Sequence, residues 1–381
     1  MKVVFLGCTD NYGYGFSANV TKVGYMAKGL KEAGAECYIH NGVCGNRHVK
    51  QDEDIIVDGI PVTSLFKRGH EIYSWIFNLR KVYKYLKTNN DGNNQHIAII
   101  EMDMYHIFII YWFLCKITGY KLVAISHEWG PTVVEVNPIR RPSLFIYSLT
   151  FGWFVDAILP ISEYIIEKIK HFKKPYFKVP ILADFSDVDN SINNMERSHL
   201  VYCASVYYKR IIMMILSAYK TYLDSKGQLK LTLILNGPQD KIRDIQQEIN
   251  RMNIQDNVVI KTKLPYSELL YDYRTAAALI IPLNPDIEQD SARFSQKIAE
   301  YLSSKSPIIT NNVGEIKYYF NDDELLKCDY SIIGFSEAFR WIEYHKEKCL
   351  EIGYNGFLKG KTEFDYLKQG KLIYEFLAKQ I

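Results

Sequence analysis

Residues 200–238 read LVYCASVYYKRIIMMILSAYKTYLDSKGQLKLTLILNGP. The stretch opens on a β-rich run at 200–204 and closes on a second at 230–235, stopped by Asn236, Gly237 and Pro238. Between them, residues 211–225 carry apolar side chains at helical spacing, which predicts a helix. Strand, helix and strand make a crossover unit whose two strands run parallel. The alternation continues downstream. Helix is expected at 240–252, 267–276 and 295–303, strand at 258–261, 278–282 and 307–310, and helices to the end.

The first half repeats the pattern. A strand at 2–6 ends at Gly7, a helix at 17–33 ends at Gly34, and a short strand follows at 37–40. A polar stretch at 42–58 reads as loop or hairpin. Helices are expected at 71–87, 107–118, 143–154 and 162–171, with strands at 97–100, 121–126, 157–160 and 177–180. Residues 183–199 are polar and acidic with no periodicity, and read as a linker. The expectation is an α/β protein of two Rossmann-like, doubly wound domains. They comprise residues 1–182 and 200–362, with a cleft between them and a last helix (363–381) crossing back onto the first. Ligands in such sheets sit beyond the carboxyl ends of the strands.

A chain of 381 residues, 48% hydrophobic and 23% charged, has material for two cores and excludes a disordered polymer. A net charge of +3 argues against a dedicated nucleic-acid binder. Residues 1–180 hold 21 Lys and Arg against 16 Asp and Glu, a mildly basic half suited to an anionic surface or substrate. Seven Cys with no C-x-x-C pair point to a reducing compartment and no structural zinc. The start of the chain reads as a strand rather than a signal peptide, and the most apolar run, 107–115, is too short to span a bilayer. A cytoplasmic protein is expected.

Gly13, Gly15 and Ala18 fit a dinucleotide fingerprint by spacing, yet no acid closes the second strand, where His40 and Asn41 stand. A glycine loop that lets a ligand reach backbone N–H groups is the better reading. Gly360-Lys361-Thr362 lacks the upstream glycine and strand of a phosphate loop. His127 and Glu128 follow a buried strand, where an imidazole suits a substrate hydroxyl, although a loop anchor is equally compatible. Lys209 and Arg210, just past the strand at 200–204, suit a diphosphate. Arg293 and Lys297 flank the start of the helix at 295–303, a second anion site. Glu300 lies one turn deeper on the same face as Lys297. A Lys-rich helical face at 163–174 suits either solvent or an anionic membrane. No spacing suggests a metal site.

Together these segments resemble the retaining GT-B glycosyltransferases, family 4 (group 1) in particular. The resemblance rests on residues 200–209, 233–238 and 258–282. Its closest stretch is KIAEYLSSKSPIITNNVGE at 297–315, with looser agreement at the glycine loop, at His127 and at 160–163. It implies an enzyme, a hexosyltransferase that moves sugar from a nucleotide-diphosphate-sugar to a glycan or lipid-linked acceptor with retention, in surface polysaccharide synthesis. It implies no metal and no further cofactor. His127, Lys209 and Glu300 would be catalytic, with Glu300 accepting hydrogen bonds from the ribose hydroxyls and Lys209 holding the diphosphate. Gly13, Gly15, Ser205, Arg210, Asn236, Gly237, Asp290, Arg293, Ser295 and Lys297 would line the donor. The family's two-glutamate motif would begin at position 292, which is Ala292 here, so Asp290 or Glu288 would have to substitute. An epimerase or a non-catalytic sugar-binding protein of the same fold are the alternatives.

Overall fold

The computed structural model describes every residue except 10, 16, 70, 93, 103, 134–137 and 187–196. Most of the expected linker therefore lies outside the described residues. The chain forms two compact units. Unit 1 comprises Met1–Asp184, Ser291–Gln296 and Phe364–Ile381, and unit 2 comprises Phe185–Asp290 and Lys297–Glu363.

Unit 1 runs β1 (Lys2–Leu6), α1 (Ala18–Glu32), β2 (Glu36–His40), β3 (Glu53–Val57), β4 (Ile60–Ser64), α2 (Glu71–Asn89), β5 (His96–Ile100), α3 (Tyr105–Thr118), β6 (Lys121–Ser126), α4 (Arg141–Thr150), β7 (Ala157–Pro160) and α5 (Glu163–Ile169). Its sheet has the order β3-β4-β2-β1-β5-β6-β7. Every pairing is parallel except β3 with β4. These two form a hairpin inside and just beyond the polar stretch, turned by Asp58 and Gly59, both with positive φ. Central strands are continuous apolar runs because both faces are covered; β5 is buried throughout. Residues 177–180, expected as a strand, instead run along β7 with two backbone hydrogen bonds, Phe177 N to Ile158 O and Val179 N to Pro160 O.

Unit 2 runs β8 (His199–Ser205), α6 (Lys209–Asp224), β9 (Lys230–Asn236), α7 (Gln239–Arg251), β10 (Val258–Thr262), α8 (Tyr266–Thr275), β11 (Ala278–Ile281), α9 (Glu288–Ala292), α10 (Gln296–Ser303), β12 (Ile308–Thr310), α11 (Ile316–Tyr319), β13 (Leu326–Lys327), α12 (Ile332–Tyr344) and α13 (Lys346–Glu363). The last two residues of α9 and the first residue of α10 belong to unit 1. The sheet, β10-β9-β8-β11-β12-β13, is wholly parallel. Ile212, Ile215 and Tyr219 of α6 meet Phe335 and Phe339 of α12 in its core.

The last helix, α14 (Tyr366–Gln380), belongs to unit 1 and packs on α1. Val23, Met26 and Leu30 of α1 and Ile373 and Leu377 of α14 share the core with Val3 and Phe5 of β1. Glycines permit the close crossing. A methyl on Gly29 would stand 2.3 Å from the Tyr366 carbonyl oxygen, and one on Gly370 2.2 Å from the Gly29 carbonyl carbon. Neither obstacle is a movable side-chain tip, so a larger residue has to push the helices apart. Gly370→Val is expected to destabilise the protein by about 2–3 kcal/mol, read as a lower urea midpoint.

Candidate functional site

The order of strands in unit 1 reverses between β1 and β5, the switch point where doubly wound sheets bind ligands. A cavity of about 1030 Å³ opens there. Two glycines shape the turns beside it. Gly7 ends β1 with φ +68° and Gly42 follows β2 with φ +76°. A Cβ on either would fall 2.5 Å or 1.9 Å from the Tyr111 hydroxyl, which accepts a hydrogen bond from Val43 N. Tyr111, rising from α3, is the pillar on which both turns close.

Glu101 follows β5 directly and His127 follows β6, so the parallel pairing of these strands brings the two side chains together. His127 Nδ1 lies 2.7 Å from Glu101 Oε1. A carboxylate only accepts, so Nδ1 carries the proton and a neutral ring turns the Nε2 lone pair outward. Burial pushes the His127 pKa down, Glu101 pulls it up and Lys22 pushes it down further. The net direction is downward, which keeps the ring neutral at physiological pH.

Lys22 comes from the first turns of α1, whose Ser17 N-cap accepts from Val20 N. It is only 4% exposed yet lines the cavity. Burial drives its pKa down to about 7, against the upward pull of Glu101. Lys22 Nζ, Glu101 Oε2, His127 Nε2, Asn11 Oδ1 and Asn19 Oδ1 have no hydrogen-bond partner among the described residues. All five belong to residues that line the same cavity. An unsatisfied buried polar group costs about 1–3 kcal/mol, so such a concentration marks a place for a polar occupant rather than for packing.

The lysine yields a stability prediction. Its native pKa is depressed from 10.5 to about 7, so the native state binds fewer protons than the unfolded chain between those values. The penalty is fully present below pH 7, shrinks as pH rises and vanishes above 10.5. Lys22→Met should therefore raise the unfolding free energy by a few kcal/mol at pH 6, and by little at pH 10. Chemical denaturation at both pH values checks this.

Arg293 and Ser295, expected in the donor domain, lie in unit 1 and line this cavity with His127 and Glu128. Their segment is tied down by Ser162 Oγ, which donates to the Ala292 carbonyl at 2.6 Å, and by the Gln296 amide, which pairs with the Leu182 backbone. Ala292 itself is 1% exposed. The position where the resemblance expects a glutamate is thus a packed alanine. Gly13 and Gly15 are not among the residues that line this cavity. Gly13 packs against Ile55 and Val57 of the β3–β4 hairpin, and Gly15 faces open space. The turn that matters is Gly7, six residues earlier.

In unit 2 the strand order reverses between β8 and β11. Ser205 ends β8 beside Asn236, the end of β9, with Gly237 next to it. Lys209 and Arg210 are the first two residues of α6, whose N-cap residue Tyr208 makes no side-chain cap. Both cations are exposed, Lys209 with Asp244 at 3.9 Å. A single helical turn, Val206–Tyr208, capped by Ser205 Oγ accepting from Tyr207 N, leads straight into α6, so the two exposed cations stand near the start of a helical run. The Lys297 ammonium donates one hydrogen bond to Cys203 O of the central strand β8 at 2.9 Å. Asp290 Oδ2 accepts from Asn284 N at 2.8 Å in its own loop. Glu300 is 5% exposed, and burial drives its pKa up to about 7, opposed by Lys297.

Among the described residues no group of three His, Cys, Asp or Glu side chains stands in reach of one metal ion. Among the described residues no helix is long and apolar enough to cross a membrane.

No family model matches the chain, and no curated protein matches it. Solved structures do. Sucrose-phosphate synthase from Thermosynechococcus elongatus superposes with a TM-score of 0.73 at 13% identity, over 99% of this chain and 98% of that one. HepE from Anabaena in complex with UDP gives 0.71 at 12% identity, over 99% and 100%. A glycosyltransferase from Rickettsia africae gives 0.71 at 11% identity, over 100% and 99%. Two Rossmann-like parallel sheets flanked by helices, matched end to end by these chains, establish the GT-B fold.

Proposed function

We propose that the chain is a glycosyltransferase that transfers a hexosyl group from a nucleotide-diphosphate-sugar to a glycan or lipid-linked acceptor, with retention of configuration. We place it in surface-polysaccharide synthesis, at the cytoplasmic face of the cell membrane, in the manner of glycosyltransferase family 4. The observation that carries the reading is the cavity at the β1/β5 switch point with its unsatisfied Lys22, Glu101 and His127. The fold supports it: HepE, of the same fold, is known in complex with UDP and glucose.

The residues divide the chemistry. Glu300, a buried carboxylate, accepts two hydroxyl donors at once and suits the ribose. Departure of the nucleoside diphosphate builds negative charge, which Lys209 and Arg210 near a helix start oppose without reorganisation. Such cationic stabilisation needs no metal, and none is proposed. Neutral His127, held by Glu101, accepts a hydrogen bond from a hydroxyl of the transferred sugar. Lys22, charged below pH 7, favours an acceptor or donor group bearing negative charge.

Calorimetry with UDP- and GDP-sugars, followed by NMR of the anomeric proton in the product, tests the reading. Binding of one donor and a retained anomer are expected. No binding to any nucleotide sugar would overturn it.

A further inference from the structure

Helices α2, α3 and α4 follow crossovers that carry the chain toward the β7 edge of the unit 1 sheet. Right-handed connections therefore put all three on one face of that sheet. They are neighbours. Trp75 packs on His106 between α2 and α3, and Phe108 packs on Tyr147 between α3 and α4. Their inner stripes are buried, as Ser74, Asn78, Val82 and Leu86 show for α2.

Their outer faces do not look like those of an ordinary surface layer. Ile76 and Phe77 of α2, Phe113 and Ile117 of α3, and Phe145 of α4 are 64%, 52%, 54%, 50% and 51% exposed. Trp153, in the turn after α4, is 60% exposed. Scattered exposed apolar residues are normal, but this density on three adjacent helices marks a binding face.

The charge on the same helices says what binds. Together α2, α3 and α4 contain six Lys or Arg residues and one carboxylate, Glu71 at the first position of α2. Arg80, Lys84 and Lys116 are exposed among the aromatic and aliphatic side chains. A second copy of the chain, meeting this face about a twofold axis, would set these cations against themselves. Lysine is also depleted from the centres of protein interfaces. Aromatic and aliphatic side chains interleaved with cations on an acid-poor face are the pattern that sits in a lipid headgroup region.

We infer that the outer face of α2, α3 and α4 seats unit 1 on an anionic lipid bilayer. The Lys-rich segment at 163–174 is less suited, because it carries two carboxylates and two of its four lysines are engaged: Lys170 pairs with Glu167, and Lys168 lies over the Tyr164 ring. The cavity abuts the seated face, since Met104 ahead of α3, Ser143 and Leu144 of α4, and Arg140 line it. A lipid-anchored substrate with a charged head would reach the cavity without leaving the membrane. That last step rests on the proposed function, whereas the seating itself does not.

Flotation with vesicles of phosphatidylcholine alone, and of phosphatidylcholine with about one-third phosphatidylglycerol, tests the inference. Wild type should float with the anionic vesicles, and at least tenfold less with the neutral ones. Ile76→Asp/Phe113→Asp/Trp153→Asp should lose flotation at least tenfold. Arg80→Glu/Lys84→Glu should lose it severalfold at 0.1 M salt, with both variants keeping the wild-type melting temperature. Failure of wild type to float, equal flotation on both vesicles, or unchanged flotation of both variants would overturn the inference. So would light scattering that shows a vesicle-free dimer which the triple variant converts to a monomer. Nucleotide-sugar binding, measured in parallel, reports separately on the proposed function.

Discussion

His127→Ala is expected to lower turnover by about two to three orders of magnitude while leaving the melting temperature within a few degrees of wild type. Loss of one preorganised hydrogen-bonding group at a reacting centre typically costs that much. The ring is only 16% exposed and its Nε2 has no protein partner, so it holds little of the fold together. Glu101 separates orientation from packing. Glu101→Gln retains an oxygen that can accept from Nδ1, but removes the charge that pulls the imidazole pKa up. The active form is the neutral ring, so activity falls as pH drops through the His127 pKa. Removing the carboxylate lowers that pKa, and the acid limb of kcat/KM should move to lower pH. Glu101→Leu loses the hydrogen bond as well and should reduce kcat by about tenfold or more. A His127→Ala enzyme within tenfold of wild type, or an acid limb unmoved by Glu101→Gln, would remove this pair from the reaction.

Much of the architecture is legible in the sequence because it depends on local periods. The continuous apolar run of β5 admits only a doubly covered strand, and the spacing of Val20, Val23, Met26 and Leu30 admits only a helix with one buried face. The site is less legible because its residues meet through the sheet. Glu101 and His127 lie 26 positions apart, and only the β5–β6 register joins them. Glu101 did leave a signal, as a carboxylate set directly after a wholly apolar strand. So did Lys22, a lysine inside the buried arc of α1. Gly13 and Gly15 show the limit of a local pattern. Their spacing imitates a ligand loop, while the hairpin that Gly13 packs against comes some forty residues later, beyond the reach of a motif. The segment Ser291–Gln296 joins unit 1 through long-range bonds to Ser162 and Leu182, which no local pattern encodes.

Glu300→Gln is expected to abolish detectable donor binding and yet stabilise the protein at alkaline pH. Burial raises the Glu300 pKa from 4.5 to about 7, so between these values the native state holds a proton that the unfolded chain has released. Stability attributable to this group is present below pH 4.5, falls as pH rises through the interval, and stays low above 7. At about 1.4 kcal/mol per pH unit, ionising it in place costs about 3 kcal/mol. The amide carries no such cost. Glu300→Gln should match wild type at pH 4.5 and exceed it by about 2–3 kcal/mol at pH 8, read from urea unfolding at each pH. Donor affinity should move the other way. Ribose hydroxyls donate best to the ionised carboxylate, so wild-type affinity should rise from pH 6 to pH 8, while the amide, with one acceptor oxygen, binds weakly throughout. A carboxylate kept for the fold would show the reverse pattern: a destabilised variant that still binds nucleotide sugar. Stabilisation coupled to lost binding is the signature of a charge held in the interior for a ligand.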